Sequence, residues 1–257
     1  GVDIKAHEFC TLPADDFVVG DLRDPRVAAE VVDEGMDEIY QFAADMGGAG
    51  YIFTGDHDAG VMHNSALCNL NMVDEAMRKK VGKIFYSSSA CIYPESIQTD
   101  PDNPGLKEEY AYPAYPDSEY GWEKLFSERL YFAYYRNYGI PVRVARYHNI
   151  FGPEGTWDGG REKAPAAICR KVAQCEEGGQ IEIWGTGKPM REFLYVDDLA
   201  DACIHLMLNY NDSEIVNIGT GEDVTIAELA VGIKNIVGFE GDIYFNTEMP
   251  DGTPRKL

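Results

Sequence analysis

The sequence predicts an α/β protein: a doubly wound parallel sheet with a smaller α/β part attached. Three observations carry that expectation. Apolar runs of strand length at residues 17–19, 38–44, 85–89 and 141–147 alternate with stretches of helical character, the pattern of a parallel sheet covered on both faces. The run from Phe85 through Ser87-Ser88-Ser89 to Pro94 passes from apolar into small polar residues. A buried strand does this as it emerges at the carboxyl edge of a sheet, where α/β proteins bind ligands. Residues 120–135 contain no proline and no glycine beyond Gly121, so a helix follows the ligand-edge strand.

The elements follow in order. Residues 1–3 read as the tail of a strand ending in the acidic Asp3. In a dinucleotide-binding sheet such an acid holds the adenosine ribose, and a glycine-rich phosphate loop lies about twenty residues before it. No such stretch precedes Asp3, so the expectation is a sheet lacking its first strand, its glycine-rich loop and the helix that would hold a pyrophosphate. An exposed terminal aspartate is the alternative reading of Asp3. Residues 17–23 form a second short strand closing on Asp21 and Leu22, followed by a helix that ends near Gly35. The strand at 38–44 closes on Ala43 and Ala44, whose small side chains let the backbone approach a cofactor, and the turn at 45–50 is rich in residues that tolerate positive φ.

An amphipathic helix is expected over 63–80, with Leu67, Leu70, Val73 and Met77 on one side, facing the core or a second copy. The proline-rich stretch 94–119 is long enough to suggest a lid over the substrate. The strand at 141–147 leads into His148-Asn149-Ile150-Phe151-Gly152-Pro153, where His148 is expected to be packed or hydrogen-bonded and not catalytic. Pro165 marks a helix start. Thr225 and Glu228 form a capping box for a helix stopping before Gly238, and Gly219 and Gly221 read as turn residues. The expected division is residues 1–151 with 193–218 as one part, and 152–192 with 219–257 as the other.

The totals bound the function. At 257 residues the chain makes one large domain, or one with a small partner. A formal charge of −22 opposes nucleic acid and anionic membranes, so neither is expected as a partner. An anionic substrate then needs a local basic pocket. No run is long enough to span a bilayer and no signal peptide opens the sequence. Six cysteines and five histidines show no metal-ligand spacing, so no metal is expected, and the thiols suit a reducing cytoplasm.

The chemistry centres on Tyr120 and Lys124, which share one helix face. A lysine cation beside a tyrosine stabilises the phenolate and should lower its pKa from about 10 toward neutrality. A hydroxyl from Ser89 can share the substrate oxygen. Together the three can move a proton off an alcohol while a nicotinamide takes the hydride. A Tyr-x-x-x-Lys spacing alone is common; the serine strand upstream is what favours chemistry. Arg191 and Arg255 are cations of the geometry that grips a diphosphate.

At these residues the chain resembles the extended short-chain dehydrogenase/reductases, the superfamily of nucleotide-sugar epimerases, dehydratases and reductases, with their Rossmann-type sheet. Arg146-x-x-Asn149-x-Phe151-Gly152-Pro153 is a hallmark of that superfamily. Cysteine at position 91, in Ser89-Ala90-Cys91-Ile92-Tyr93-Pro94, narrows the resemblance to the GDP-mannose 3,5-epimerases and GDP-L-fucose synthases. The run Ala43-Ala44-Asp45-Met46-Gly47-Gly48 and the stretch 155–167 resemble the epimerases, which carry a catalytic lysine where Lys163 stands; fucose synthases have histidine there. The stretches 184–202, 216–221 and 250–257 look more like the fucose synthases, and both families continue beyond Leu257.

The resemblance implies NAD as cofactor, a GDP-sugar as substrate and a homodimer. It implies Ser89, Cys91, Tyr120, Lys124 and Lys163 as catalytic residues. Asp3, Asp21, Leu22, Ala43, Ala44, Tyr120 and Lys124 would bind the cofactor. Gly47, Ser89, Ala90, Cys91, Asn149, Glu162, Lys163, Ala164, Lys171, Pro189, Met190, Arg191 and Arg255 would line the sugar nucleotide. Free cysteine is often only a small buried hydrophobe, and Lys171 reads equally as a solvated helix residue. The implied reaction is epimerisation of GDP-mannose at C3, C5 or both, through a transient 4-ketone. A GDP-L-fucose synthase using NADPH is the alternative enzyme, and an inactive fragment that binds a nucleotide sugar is the alternative of another class.

Overall fold

Parallel strands and the helices that join them build the centre of the protein, seen in a computed structural model that describes residues 1–9, 12–100, 102, 105–249 and 251–257. Cys10, Pro101, Pro104 and Pro250, each part of a stretch noted above, lie outside the described residues. The chain opens with β1 (Val2–Asp3), β2 (Val18–Val19), α1 (Pro25–Val31) and β3 (Glu38–Gln41). Next come α2 (Ala49–Ile52), α3 (Asp58–Arg78), β4 (Lys83–Ser89) and α4 (Glu95–Gln98). Then α5 (Glu119–Tyr138), β5 (Val142–Tyr147), β6 (Asn149–Phe151), α6 (Ala164–Gln174) and β7 (Gln180–Trp184) follow. After β8 (Met190–Arg191), β9 (Phe193–Tyr195) and α7 (Val196–Asn209) come β10 (Val216–Ile218), β11 (Val224–Thr225) and α8 (Ile226–Val237), with β12 (Asp242–Asn246) and β13 (Arg255–Lys256) last.

The main sheet has the order β10-β5-β4-β3, all parallel, and β1 pairs with β2 beside it. The doubly wound α/β expectation is borne out. Phe85, Ile84, Tyr86, Val142, Val144 and Ala145 are buried in the sheet's centre, where β-branched and aromatic side chains fill both faces. A second cluster joins Ile168 and Val172 of α6 to Ile181 and Ile183 of β7 and Ala230 of α8. There β12 runs parallel to β7. The capping box is present, with the Glu228 amide donating to Thr225 Oγ1 at 3.0 Å, and Gly238 takes the left-handed conformation that ends α8.

Three expectations need correction. The helix α3 begins at Asp58 rather than His63, and its buried stripe is Val61, Ser65, Asn69, Met72, Val73 and Ala76. Leu70 is exposed instead. Polar Ser65 and Asn69 are buried because they have partners: Asn69 donates to Glu123 Oε1 and Ser127 Oγ, each at 3.0 Å, on α5. Second, α1 stops at Val31, short of Gly35. Third, the 94–119 stretch is not one unbroken loop. It holds α4 and a 3₁₀ turn at Glu108–Ala111, and Leu106 and Ala111 pack with Ala90, Ile92, Tyr93 and Leu125.

One buried charge pair ties these layers. Arg146 of β5 and Glu128 of α5 meet at 2.9 Å with side chains 2% and 3% exposed. Ser88 of β4 donates to the same carboxylate at 2.5 Å, and Arg146 reaches Tyr93 Oη and the Glu108 carbonyl. Removing one member of a buried pair strands the other charge, at about 3–5 kcal/mol. Glu128→Ala should therefore lower unfolding stability by that amount in urea titration; a loss under about 1 kcal/mol would contradict the pair's role.

Candidate functional site

The strand β4 carries Ser87, Ser88 and Ser89 to the carboxyl edge, where a 3₁₀ turn over Ala90–Ile92 begins. Ser89 caps that turn, its Oγ accepting the Cys91 amide at 3.1 Å. The helix α5 then lies directly on the turn. Its Ser118 cap accepts the Gly121 amide at 3.2 Å, and a Cβ at Gly121 would overlap the Cys91 carbonyl oxygen. Only glycine permits this approach. It brings Tyr120 against Ser89 and Cys91 and Lys124 into electrostatic reach of Cys91, and Cys91 packs in the cluster of Tyr51, Ile52, Val61 and Tyr120.

The electrostatics follow from burial. Lys124 is 3% exposed, donates to the Ser87 carbonyl at 2.7 Å and lies over the Tyr120 ring at 5.7 Å. Burial lowers its pKa below the usual lysine range, while Glu123, Glu128 and Cys91 pull the other way. The Tyr120 pKa was expected to fall. In this structure it is raised instead, chiefly by burial and then by the Cys91 charge, with a hydrogen bond to Ser89 offsetting part. Desolvation of the phenolate is the dominant cause.

Lys163 stands just before α6, at its N-cap. Burial lowers its pKa, and its electrostatic partner is Cys91. Arg191 of β8 is likewise lowered by burial and likewise feels Cys91. The loop holding Lys163 is latched to the glycine turn after β3. Arg161 donates to Asp45 Oδ1 at 3.0 Å and to Tyr51 Oη at 2.6 Å, stacking over the Tyr51 ring. The Gly48 amide donates to the Arg161 carbonyl at 2.9 Å, and a Cβ at Gly48 would overlap the Glu162 carbonyl oxygen.

The remaining expected residues fall at different distances from this centre. Ala90, Gly47 and Pro189 are buried, and Asn149, Ala164 and Met190 are half-buried. Asn149 Nδ2 is buried with no hydrogen-bond partner in the structure. Glu162 is held by Arg170 and the Gly160 amide, each at 2.7 Å. Burial would raise its pKa, but these bonds hold it below the usual carboxylate range. Lys171 donates to the Glu182 carbonyl, and Arg255 pairs with Asp223 at 2.6 Å. His148 is buried with Nδ1 2.6 Å from Glu192, as expected of a packed histidine. Gly219 is more than a turn residue, because a Cβ there would overlap the Glu192 carboxylate.

Asp3 ends β1 and lines a cleft with His7, Phe9 and Phe17 that does not include Tyr120. Asp21 binds Arg23 at 2.6 Å, and Leu22 is buried. These residues, with half-buried Ala43 and Ala44, stand at the carboxyl ends of β1, β2 and β3. The residues present fit a nicotinamide dinucleotide: small side chains border that edge, and the buried Tyr120 lies at its β4 end. Sequence reasoning missed Asp45, Tyr51, Arg161, Asp117 and Lys256. A glycine as the third residue of α5, where helix propensity disfavours it, was the available signal for the close approach to Cys91.

The model of the NAD dependent epimerase/dehydratase family matches residues 1–219. The chain is 41% identical over 240 residues to a GDP-mannose 3,5-epimerase of Arabidopsis thaliana, covering 93% of this chain and 61% of that protein. It is 44% identical to GDP-mannose 3,5-epimerase 1 of Oryza sativa subsp. japonica, covering 81% and 53%. It is also 31% identical to a GDP-L-fucose synthase of Escherichia coli, covering 87% and 72%. Among solved structures, a GDP-6-OMe-4-keto-L-xylo-heptose reductase from C. jejuni superposes with a TM-score of 0.80 at 27% identity, over 95% of this chain and 82% of that one. The chain thus spans between about half and three-fifths of the length of the two epimerases.

The Gly121 contact is testable against an internal control. Gly121→Ala should destabilise by about 1–3 kcal/mol, because the obstacle is backbone. Gly232→Ala, in α8 with nothing within 4 Å, should be neutral or stabilise by about 0.5–1 kcal/mol. Equal effects in thermal unfolding would contradict the close approach.

Proposed function

The chain belongs to the NAD dependent epimerase/dehydratase family, and from that premise we propose that it epimerises GDP-mannose at C3, C5 or both, toward GDP-L-galactose or GDP-L-gulose. The observation that carries the proposal is the convergence of Cys91 and Lys163 on the Ser89, Tyr120 and Lys124 group. The last three are the groups that serve hydride transfer at C4. A thiol and an amine added beside them supply two proton-exchanging groups next to a hydride site.

The proposed roles come from the family resemblance and the chemistry of each side chain. Bound NAD would supply a reversible acceptor for the C4 hydride. Tyr120 takes the C4 hydroxyl proton, Lys124 supplies the charge that stabilises its phenolate, and Ser89 holds the same oxygen. With a ketone at C4, the protons on C3 and C5 become acidic enough for side-chain bases. Cys91 and Lys163 exchange those protons from opposite faces of the sugar, one removing and one returning. Burial suits Lys163 for this, because it weakens the amine's hold on its proton. Asp3, Asp21, Leu22, Ala43 and Ala44 would hold the dinucleotide. Gly47, Ala90, Asn149, Glu162, Ala164, Lys171, Pro189, Met190, Arg191 and Arg255 would border the sugar nucleotide, with the orphaned Asn149 amide offering a donor. The same reading takes residues 1–151 and 193–218 as the cofactor part and 152–192 and 219–257 as the sugar part. It includes a homodimer, a cytoplasmic setting, and neither nucleic acid nor membrane as partner; no described helix is long and apolar enough to cross a membrane.

The test is the nicotinamide balance. GDP-mannose and NAD are incubated with this chain, and with a chain extended at its amino terminus by a strand and glycine-rich phosphate loop. The proposal expects new GDP-hexose epimers without net NADH, lost by at least a hundredfold in Tyr120→Phe, on the order of a general acid–base contribution. NADPH consumption on a 4-keto-6-deoxy sugar, with GDP-mannose untouched, would replace it with fucose-synthase chemistry. Neither reaction from either chain would leave a fold that only binds.

A further inference from the structure

Cys91 has a cationic neighbour that the proposed chemistry does not use. Lys256, on the last strand β13, directs its ammonium at Cys91 Sγ, 3.6 Å away, and at Asp117 Oδ2, 2.9 Å away. The Lys256 and Asp117 side chains are 8% and 5% exposed, so this is a built contact and not a surface pair. The lysine also lies 5.8 Å from the Phe53 ring centroid. Its strand is fixed by parallel pairing of Lys256 with Arg191 and Arg255 with Met190. The Leu106 amide donating to the Leu257 carbonyl at 2.6 Å holds the strand's far end.

A buried ammonium is costly unless a negative group shares its environment. Asp117 supplies one, and a Cys91 thiolate would supply a second. We propose that Lys256 is a positioning residue for Cys91, its ammonium holding the thiol in the thiolate form while Asp117, by sharing that ammonium, sets how strongly it does so. This rests on the reading of Cys91 as a proton-exchanging group. The other charged or titratable groups that face Cys91 are Tyr120 and Lys124 from α5, Lys163 from the start of α6 and Arg191 from β8. All of them are retained in the variants below, so a change in the thiol reports Lys256 and Asp117.

The experiment is the pH dependence of iodoacetamide alkylation at Cys91 in the full chain, without substrate. Peptide mass spectrometry separates Cys91 from the other five cysteines. Lys256→Met should raise the midpoint of Cys91 alkylation by about one pH unit or more, a tenfold change in thiolate fraction. Lys256→Arg should restore most of it. Asp117→Asn should move the midpoint in the opposite direction, to lower pH. A purely structural role predicts no such opposition, because both losses would simply open the site. An unmoved midpoint in Lys256→Met, or Asp117→Asn shifting upward with it, overturns the proposal. If Lys256→Met does not fold, the signs of the Asp117→Asn and Lys256→Arg shifts decide. Because alkylation needs no turnover, a tuned thiol in a chain without epimerase activity would count against the proposed function and not against this inference.

Discussion

The site depends on a missing methyl group. Gly121 lets α5 rest on the carbonyl of Cys91, and everything that converges there follows from that contact. Tyr120 and Lys124 flank the glycine on one helix face, so seating the helix seats both. The contact also fixes the turn, because Ser89 caps it from below and the helix closes it from above. A side chain at position 121 would lift the helix and separate the phenol from the serine and the thiol together. The buried Arg146–Glu128 pair holds the middle of the same helix to β5, so α5 is pinned at two points with Lys124 between them.

Charge is distributed against the chain's overall balance. The protein carries a formal −22, yet the groups around Cys91 are Lys124, Lys163, Arg191 and Lys256. A cationic hollow in an acidic body draws an anionic ligand to one place and repels it elsewhere. At Tyr120 burial is the dominant influence and holds the phenol protonated.

Much of the fold was legible because its signals are local. The strand ending in Ser87-Ser88-Ser89, the capping box at Thr225 and the helix start near Pro165 appear where their residue patterns put them. The centre of the site was legible too, since Tyr120, Lys124, Ser89 and Cys91 lie on two neighbouring elements. What was hidden depends on long-range pairing. Lys256 meets Cys91 across 165 positions, and Arg161 meets Asp45 across 116; no local period encodes either. The buried stripe of α3 was misread for a related reason, because Asn69 and Ser65 look solvent-facing until α5 supplies partners for Asn69 and Asp45 supplies one for Ser65. The pairing of Arg255 with Asp223 is a long-range contact of the same kind.

The central claim is that Cys91 and Lys163 exchange protons on opposite faces of one sugar. Position-resolved deuterium uptake by GDP-mannose in heavy water, read by proton NMR and mass spectrometry, tests it most directly. The claim predicts deuterium at C3 or C5 with NAD present, and loss of that uptake in both Cys91→Ser and Lys163→Met while C4 hydride transfer persists. Undiminished uptake in either variant, or uptake confined to a carbon other than C3 and C5, would contradict it.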